Sequence, residues 1–92
     1  MIRSFKCRDT QMLAHGRPVR RFRAFESVAR RKLRQLEIAA RLDDLRIPPG
    51  NRLEALRGGR MGSYSMRIND QFRICFRWTP QGAEDVEIVD YH

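Results

Sequence analysis

The second half of the chain alternates apolar and polar residues, and this alternation limits the possible folds more than any other feature. Apolar residues occupy every second position in residues 64–68, 72–78 and 86–88. Because the side chains of a strand point alternately to its two faces, this period of two predicts three strands with one buried face. Asn69-Asp70 can supply the positive φ angles of a tight hairpin, and residues 80–82 a second turn. The sequence therefore predicts an antiparallel meander.

The first half follows a helical period instead. Steps of three and four residues separate six apolar residues: Phe22, Phe25, Ala29, Leu33, Leu36 and Ala40. This spacing predicts one amphipathic helix, which Pro18 would introduce. A shorter helix is expected over residues 9–15 with Asp9 as its N-cap, and residues 2–5 are a candidate further strand. We therefore expect one α+β domain spanning residues 1–92, with the N-terminal helices packed on one face of the meander sheet.

The sheet is expected to have two unlike faces. The even-numbered apolar residues form the core face, which leaves a polar, cationic face open to a long anionic ligand. Its members are Ser65, Arg67, Arg73, Cys75, Arg77 and Tyr91. Arg67 and Arg73 would lie on neighbouring strands, close enough to hold one phosphate between two guanidinium groups. The alternative is a pair of surface arginines without a ligand.

The charge of the chain favours polyanionic partners. Its 19 Lys+Arg and 11 Asp+Glu give a net charge of +8, and 17 of the basic residues are arginine, which suits bidentate phosphate recognition. The excess lies in residues 1–46, with 13 basic and 5 acidic side chains, whereas residues 47–92 hold six of each. In that second half, Arg52, Arg57 and Arg60 belong to a basic stretch and are candidate RNA-binding residues.

Several classes of protein find no support in the sequence. No apolar run approaches the roughly 20 residues of a membrane span, and the start lacks a signal-peptide core, so we expect a cytoplasmic protein without membrane contact. Cys7 and Cys75 lie in no CxxC or Cys/His cluster, so both are expected to be buried thiols and no metal site is expected. No nucleotide-binding motif appears, and we expect no cofactor. One long helix does not support direct DNA reading by a helix-turn-helix.

The last three residues, Asp90-Tyr91-His92, offer acid–base chemistry. RNA can be cut without metal when its 2′-OH attacks the next phosphate, which requires a proton acceptor, a proton donor and cations. His92, with an ordinary pKa of about 6.5, can fill either proton role, and Tyr91 can donate. Asp90 would orient His92 or the substrate.

Three blocks of the sequence together resemble the HigB toxins of the RelE/ParE toxin superfamily. They are residues 49–56 (PGNRLEAL), residues 64–78 (YSMRINDQFRICFRW) and residues 87–92 (EIVDYH). The resemblance implies a RelE-like fold and the toxin of a type II toxin-antitoxin pair. It further implies that the toxin enters the A site of the 70S ribosome and cleaves mRNA there. The implied partner is a HigA-type helix-turn-helix antitoxin, with operator DNA bound only through the antitoxin complex.

The resemblance also assigns roles by position. Arg67 and Arg73 match the phosphate-binding, transition-state-stabilising basic residues of the family, and residues 90–92 match its C-terminal catalytic cluster. Arg57 matches a basic position that contacts RNA. Together with the proton chemistry above, these positions make Arg67, Arg73, Asp90, Tyr91 and His92 the predicted catalytic residues.

One position departs from the family pattern. Glu54 stands where some HigB members have a histidine that is counted in their active site. Glu54 is therefore a candidate general base, or else an exposed carboxylate that pairs with Arg52 or Arg57. Two other functions remain open: a non-catalytic RNA- or ribosome-binding module, and a DNA-binding regulator that acts with an antitoxin.

Overall fold

A computed structural model of the chain describes residues 1–58 and 62–91. Within these ranges the α-helices are α1 (Arg8–Ala14) and α2 (Glu26–Ile38), and the strands are β1 (Glu54–Ala55), β2 (Ser63–Arg67), β3 (Phe72–Thr79) and β4 (Gly82–Asp90). Short 3-10 helices span Arg20–Phe25, Leu42–Arg46 and Pro49–Asn51. The strands form one antiparallel sheet in the order β1-β2-β3-β4. The predicted α+β fold with a meander sheet is confirmed.

The helices pack over one face of the sheet. The core joins apolar residues from the helices to even-numbered residues of the strands: Leu13, Phe22, Ala29, Leu33, Leu36, Met66, Ile74, Val86 and Ile88. Burying one large aliphatic side chain contributes about 1.5–3 kcal/mol, so this face stabilises the sheet strongly. No helix in the described ranges has the length and apolar character of a membrane span.

The predicted single helix over residues 22–40 is wrong at both ends. The segment Arg20–Phe25 is a 3-10 helix, and α2 begins only at Glu26. Phe22 and Phe25 are both buried, and the three-residue period of a 3-10 helix places them on the same side. At the other end α2 stops at Ile38. Ala40, which was predicted to lie on the buried stripe, is exposed, and Ala39 is buried instead.

The N-terminal region differs from the prediction in three details. Helix α1 begins at Arg8 rather than at residue 9, and Asp9 forms an ion pair with Arg21 (2.9 Å) instead of capping it. Cys7 is half-buried, so the expectation of two buried thiols holds only for Cys75. Residues 2–5 form isolated parallel bridges to β4 instead of a strand. These bridges cover the outer edge of β4.

The turn between β2 and β3 does not use positive φ angles. Among the described non-glycine residues, positive φ occurs only at Arg52 and Asp85. The loop is closed instead by the side chain of Asn69, whose Oδ1 accepts from the backbone N–H groups of Gln71 (2.9 Å) and Phe72 (2.7 Å). An asparagine side chain commonly closes a turn in this way. The hairpin was predicted correctly, but its mechanism was not.

A bulge interrupts the alternation between β3 and β4. Cys75 pairs with Glu87, whereas Arg77 pairs with Glu84, so β4 contains one extra residue between them. Asp85, in this stretch, is exposed and has a φ of 53°. Because of the bulge, Ala83 joins the core although its number is odd.

Gly82 is the glycine that the fold constrains most. Its φ is +129°, and a Cβ atom there would lie 2.0 Å from the carbonyl oxygen of Met1. We expect Gly82→Ala to lower the free energy of unfolding by about 1–3 kcal/mol, because it combines an unfavourable φ with a backbone clash. Urea denaturation would measure the change. Gly50→Ala is the matched control, because Gly50 has an ordinary φ and nothing within 4 Å of the added atom; equal losses would contradict the prediction.

Candidate active site

Arg67 and Arg73 lie opposite one another on β2 and β3. They are direct cross-strand partners in the register, which is the placement that the sequence predicted. Directly opposed residues on one face have Cβ atoms about 4.5–5.5 Å apart. The two guanidinium groups are thus positioned to approach a single phosphate.

Arg73 is held firmly at the centre of the site. Its Nε donates to the Oγ of Ser65 (2.8 Å), and its Nη2 donates to the carbonyl oxygen of Arg52 (2.6 Å). Its side chain is only 11% exposed. Ser65 and Cys75 are buried on this face, so the expectation of a fully open cationic face is wrong. The face is partly closed, and a ligand meets an arginine whose orientation is already set.

Each of the two arginines has an exposed carboxylate partner. Arg67 is paired with Asp70, whose side chain is 99% exposed, and Arg73 lies 3.4 Å from an oxygen of Glu54, whose side chain is 64% exposed. The expected alternative, a pair between Glu54 and Arg52 or Arg57, is not found among the described residues. Both carboxylates are exposed, so a phosphate that displaces them leaves each one in contact with water.

Asp90 and Tyr91 reach the site through the loop between β2 and β3. The Tyr91 N–H donates to the Gln71 carbonyl (2.7 Å), and the Gln71 side chain donates to Asp90 Oδ2 (3.0 Å). The guanidinium carbon of Arg73 lies 5.9 Å from the centre of the Tyr91 ring, within the range of a cation–π contact. The structure therefore brings Tyr91 beside Arg73. His92 lies outside the described residues.

The three predicted RNA-binding arginines differ in their relation to Arg73. Arg52 has an exposed side chain, and its carbonyl group accepts from Arg73. Arg57 is exposed and follows the end of β1 by two residues. Arg60 lies outside the described residues. Arg52 is thus part of the site through its backbone, a role that its side-chain chemistry did not predict.

Sequence reasoning missed two buried polar residues near the site. Lys32 on α2 donates from Nζ to the Oδ1 of Asn51 (2.8 Å), and both residues are buried. Burial, together with the charges of Arg31, Arg67 and Arg73, lowers the pKa of Lys32. A signal was present, because Lys32 lies three residues after Ala29 and four before Leu36 and so falls on the buried side of α2.

The chemistry available at the site is that of arginine, tyrosine and carboxylate groups. In the described part of the chain, no three His, Cys, Asp or Glu side chains gather as a metal-binding group. Two guanidinium groups can neutralise a phosphodiester, while Glu54 and Tyr91 can accept and donate protons. The arrangement suits binding of a phosphodiester with proton-transfer groups close to it.

Comparison with known proteins finds a matching family model and related sequences. Residues 19–92 match the model of a family described as RelE-like toxin of type II toxin-antitoxin system HigB. The chain is 47% identical over 55 residues to Toxin HigB-1 of Vibrio cholerae serotype O1, which covers 60% of this chain and 58% of that protein. It is 37% identical over 51 residues to an uncharacterized protein of Haemophilus influenzae. This match covers 55% of the chain and 50% of that protein. The matches thus span 50–58% of the length of these relatives.

The hydrogen bond between Ser65 and Arg73 is open to a direct test. We expect Ser65→Ala to lower the free energy of unfolding by about 1–3 kcal/mol, because a mostly buried guanidinium group loses its acceptor. Chemical denaturation would measure it. Ser63→Ala, on the same strand and only half-buried, is the control and should cost under about 1 kcal/mol. Equal effects would mean that the other contacts of Arg73 suffice to hold it.

Proposed function

The chain belongs to the family of RelE-like HigB toxins of type II toxin-antitoxin systems, and on this premise we propose that it is an endoribonuclease that cleaves mRNA in the A site of the 70S ribosome. Cleavage would stop translation and growth. The opposed pair of Arg67 and Arg73, with Tyr91 beside Arg73, is the observation that carries the proposal. It gathers cations and a proton-transfer group where one phosphodiester can bind.

The proposed reaction is an attack of the 2′-OH on the neighbouring phosphorus, without a metal ion. A base takes the 2′-OH proton while the new O–P bond forms. The bond from phosphorus to the 5′-oxygen then breaks, and an acid protonates that oxygen. Arg67 and Arg73 stabilise the charge that develops on the phosphate oxygens, and Asp90 orients the terminal residues. The products are a 2′,3′-cyclic phosphate and a free 5′-OH.

Glu54 is the proposed general base. Its carboxylate lies 3.4 Å from Arg73, so a phosphate that binds Arg73 is placed next to a proton acceptor. Tyr91 or His92 supplies the proton to the leaving oxygen. Tyr91 is beside Arg73, whereas the role of His92 is predicted from the sequence alone.

The proposed partners follow from the family. A HigA-type helix-turn-helix antitoxin would bind the toxin, and operator DNA would be bound only through that complex. The net charge of +8 supports the attraction of the free toxin to ribosomal and messenger RNA. Arg52, Arg57 and Arg60 are the proposed RNA contacts around the arginine pair.

Loss of Arg73 should abolish most of the cleavage. In a translation extract, we expect Arg73→Ala to lower the rate of mRNA cleavage by about 10²–10³-fold, because a pre-oriented cation at the phosphate is lost. Arg77→Ala is the matched control on the same strand. Arg77 belongs to the same face of the sheet, but it pairs with Glu84 and is not among the proposed catalytic or RNA-binding residues, so its loss should lower cleavage far less. Ribosome binding by the intact chain without any cleavage would favour a non-catalytic binding module and contradict the proposal.

The base assignment has a separate test. We expect Glu54→Gln to lower single-turnover cleavage by about 10²-fold or more, because the amide cannot accept the 2′-OH proton. Glu84→Gln provides the control, since Glu84 also pairs with an arginine of β3. If Glu54→Gln cleaves at the normal rate while His92→Ala does not, the base is His92 and the assignment to Glu54 is wrong.

A further inference from the structure

Lys32 is a buried ammonium group whose partner is a neutral amide. It is 7% exposed, and its Nζ donates to the Oδ1 of Asn51, which is fully buried. Among the described residues it has no carboxylate within ion-pair distance, although buried lysines are rare without one. A chain that keeps this costly arrangement gains something from the position of the Asn51 side chain.

The contact with Lys32 fixes the direction of the Asn51 amide. A lysine ammonium only donates, so the Asn51 oxygen must face it and the amide nitrogen must point the other way. That nitrogen donates to the carbonyl oxygen of Leu45 (3.0 Å) and to the Oε1 of Gln35 (3.2 Å). It also lies 3.4 Å from the carbonyl oxygen of Ile47. Asn51 thereby ties the loop that precedes β1 to helix α2.

Arg52, the residue after Asn51, connects this loop to the candidate active site. Arg52 has a φ of 44°, a left-handed conformation that is uncommon for residues other than glycine. Such a conformation persists only where neighbouring contacts hold it. In this conformation the Arg52 carbonyl oxygen accepts from Arg73 Nη2 at 2.6 Å. The acceptor that orients Arg73 therefore depends on a strained residue next to the buried Asn51.

We propose that Lys32 and Asn51 are positioning residues that hold the Arg73 guanidinium group in its working orientation through the Arg52 carbonyl. The two residues are buried, so they act through the loop rather than by contact with RNA. Their effect on cleavage rests on the proposed function, whereas their effect on Arg73 does not. The two effects can be measured separately.

The direct measurement is hydrogen exchange at the Arg73 Nη2–H, which donates to the Arg52 carbonyl, followed by ¹⁵N NMR on the full chain. We expect Lys32→Met to accelerate this exchange by about three- to tenfold, the equivalent of one lost hydrogen bond. The backbone amides of Ile74 and Phe76 should keep their rates, whereas a general loss of stability would accelerate them as well. Lys6→Met is the matched control, because Lys6 is the other lysine of the chain and is exposed beside Glu87.

A second variant tests the same series of contacts, from Lys32 through Asn51 and Arg52 to Arg73, at its loop residue. Asn51→Asp keeps an oxygen for Lys32 but loses the donors to the loop carbonyl groups, so it too should accelerate exchange at Arg73. If the Arg73 Nη2–H exchanges in both variants as it does in Lys6→Met, the proposal is overturned. Equal acceleration of the backbone amides of β3 would overturn it as well.

Cleavage in the translation extract gives the functional readout. We expect Lys32→Met to lower cleavage in the normal chain and to cause no further loss when Arg73 is already alanine, because both changes act on one group. If Lys32→Met lowers cleavage by the same factor in the Arg73→Ala chain as in the normal chain, the proposal is contradicted. Absence of cleavage by the unaltered chain would overturn the proposed function, while the exchange measurement would still decide the role of Lys32.

Discussion

The register between β2 and β3 is the constraint on which the rest of the molecule depends. A slip of β3 by one residue would turn Arg73 into the core and move Ile74 to the surface, and a slip of β2 would do the same to Arg67 and Met66. Met66 and Ile74 are fully buried, and the burial of each contributes about 1.5–3 kcal/mol. An exposed ion pair contributes only about 0–1 kcal/mol. The Asn69 side chain closes the hairpin in the same register. The core therefore decides that the two arginines share the outer face.

The loop of this hairpin also places the end of the chain. Gln71 accepts from the Tyr91 backbone and donates to Asp90, so two residues at the end of β4 are held by the turn that sets the arginine pair. A third contribution comes from the loop before β1, whose Arg52 carbonyl orients Arg73. Segments far apart in sequence thus meet at one guanidinium group. The order of the site is a consequence of the fold, because the Gln71 and Arg52 carbonyl groups that accept from Tyr91 and Arg73 belong to the backbone of two loops beside the sheet.

The sequence predicted the features that depend on local periodicity. Alternation over residues 64–78 identified two strands, their hairpin and the opposition of Arg67 and Arg73, because a period of two fixes faces without knowledge of the rest of the chain. The bulge at Asp85 and the short strand β1 depend on partners elsewhere in the sheet, so no local pattern revealed them. Lys32 is the clearest case of this limit. Its spacing placed it on the buried side of α2, but only Asn51, from a distant loop, makes a buried lysine tolerable.

The pairing of both site arginines with carboxylates bears on how the proposed nuclease selects RNA. Asp70 and Glu54 are exposed and neutralise much of the charge at the pair, while the net excess of positive charge lies in residues 1–46. A phosphate must replace these carboxylates, which return to water, and it gains charge-assisted hydrogen bonds to two guanidinium groups. The gain requires both arginines to reach one phosphate, so RNA that arrives in other orientations only exchanges one ion pair for another. A strand held in a fixed conformation on the ribosome meets that requirement better than free RNA, which links the geometry of the pair to the proposed ribosome dependence.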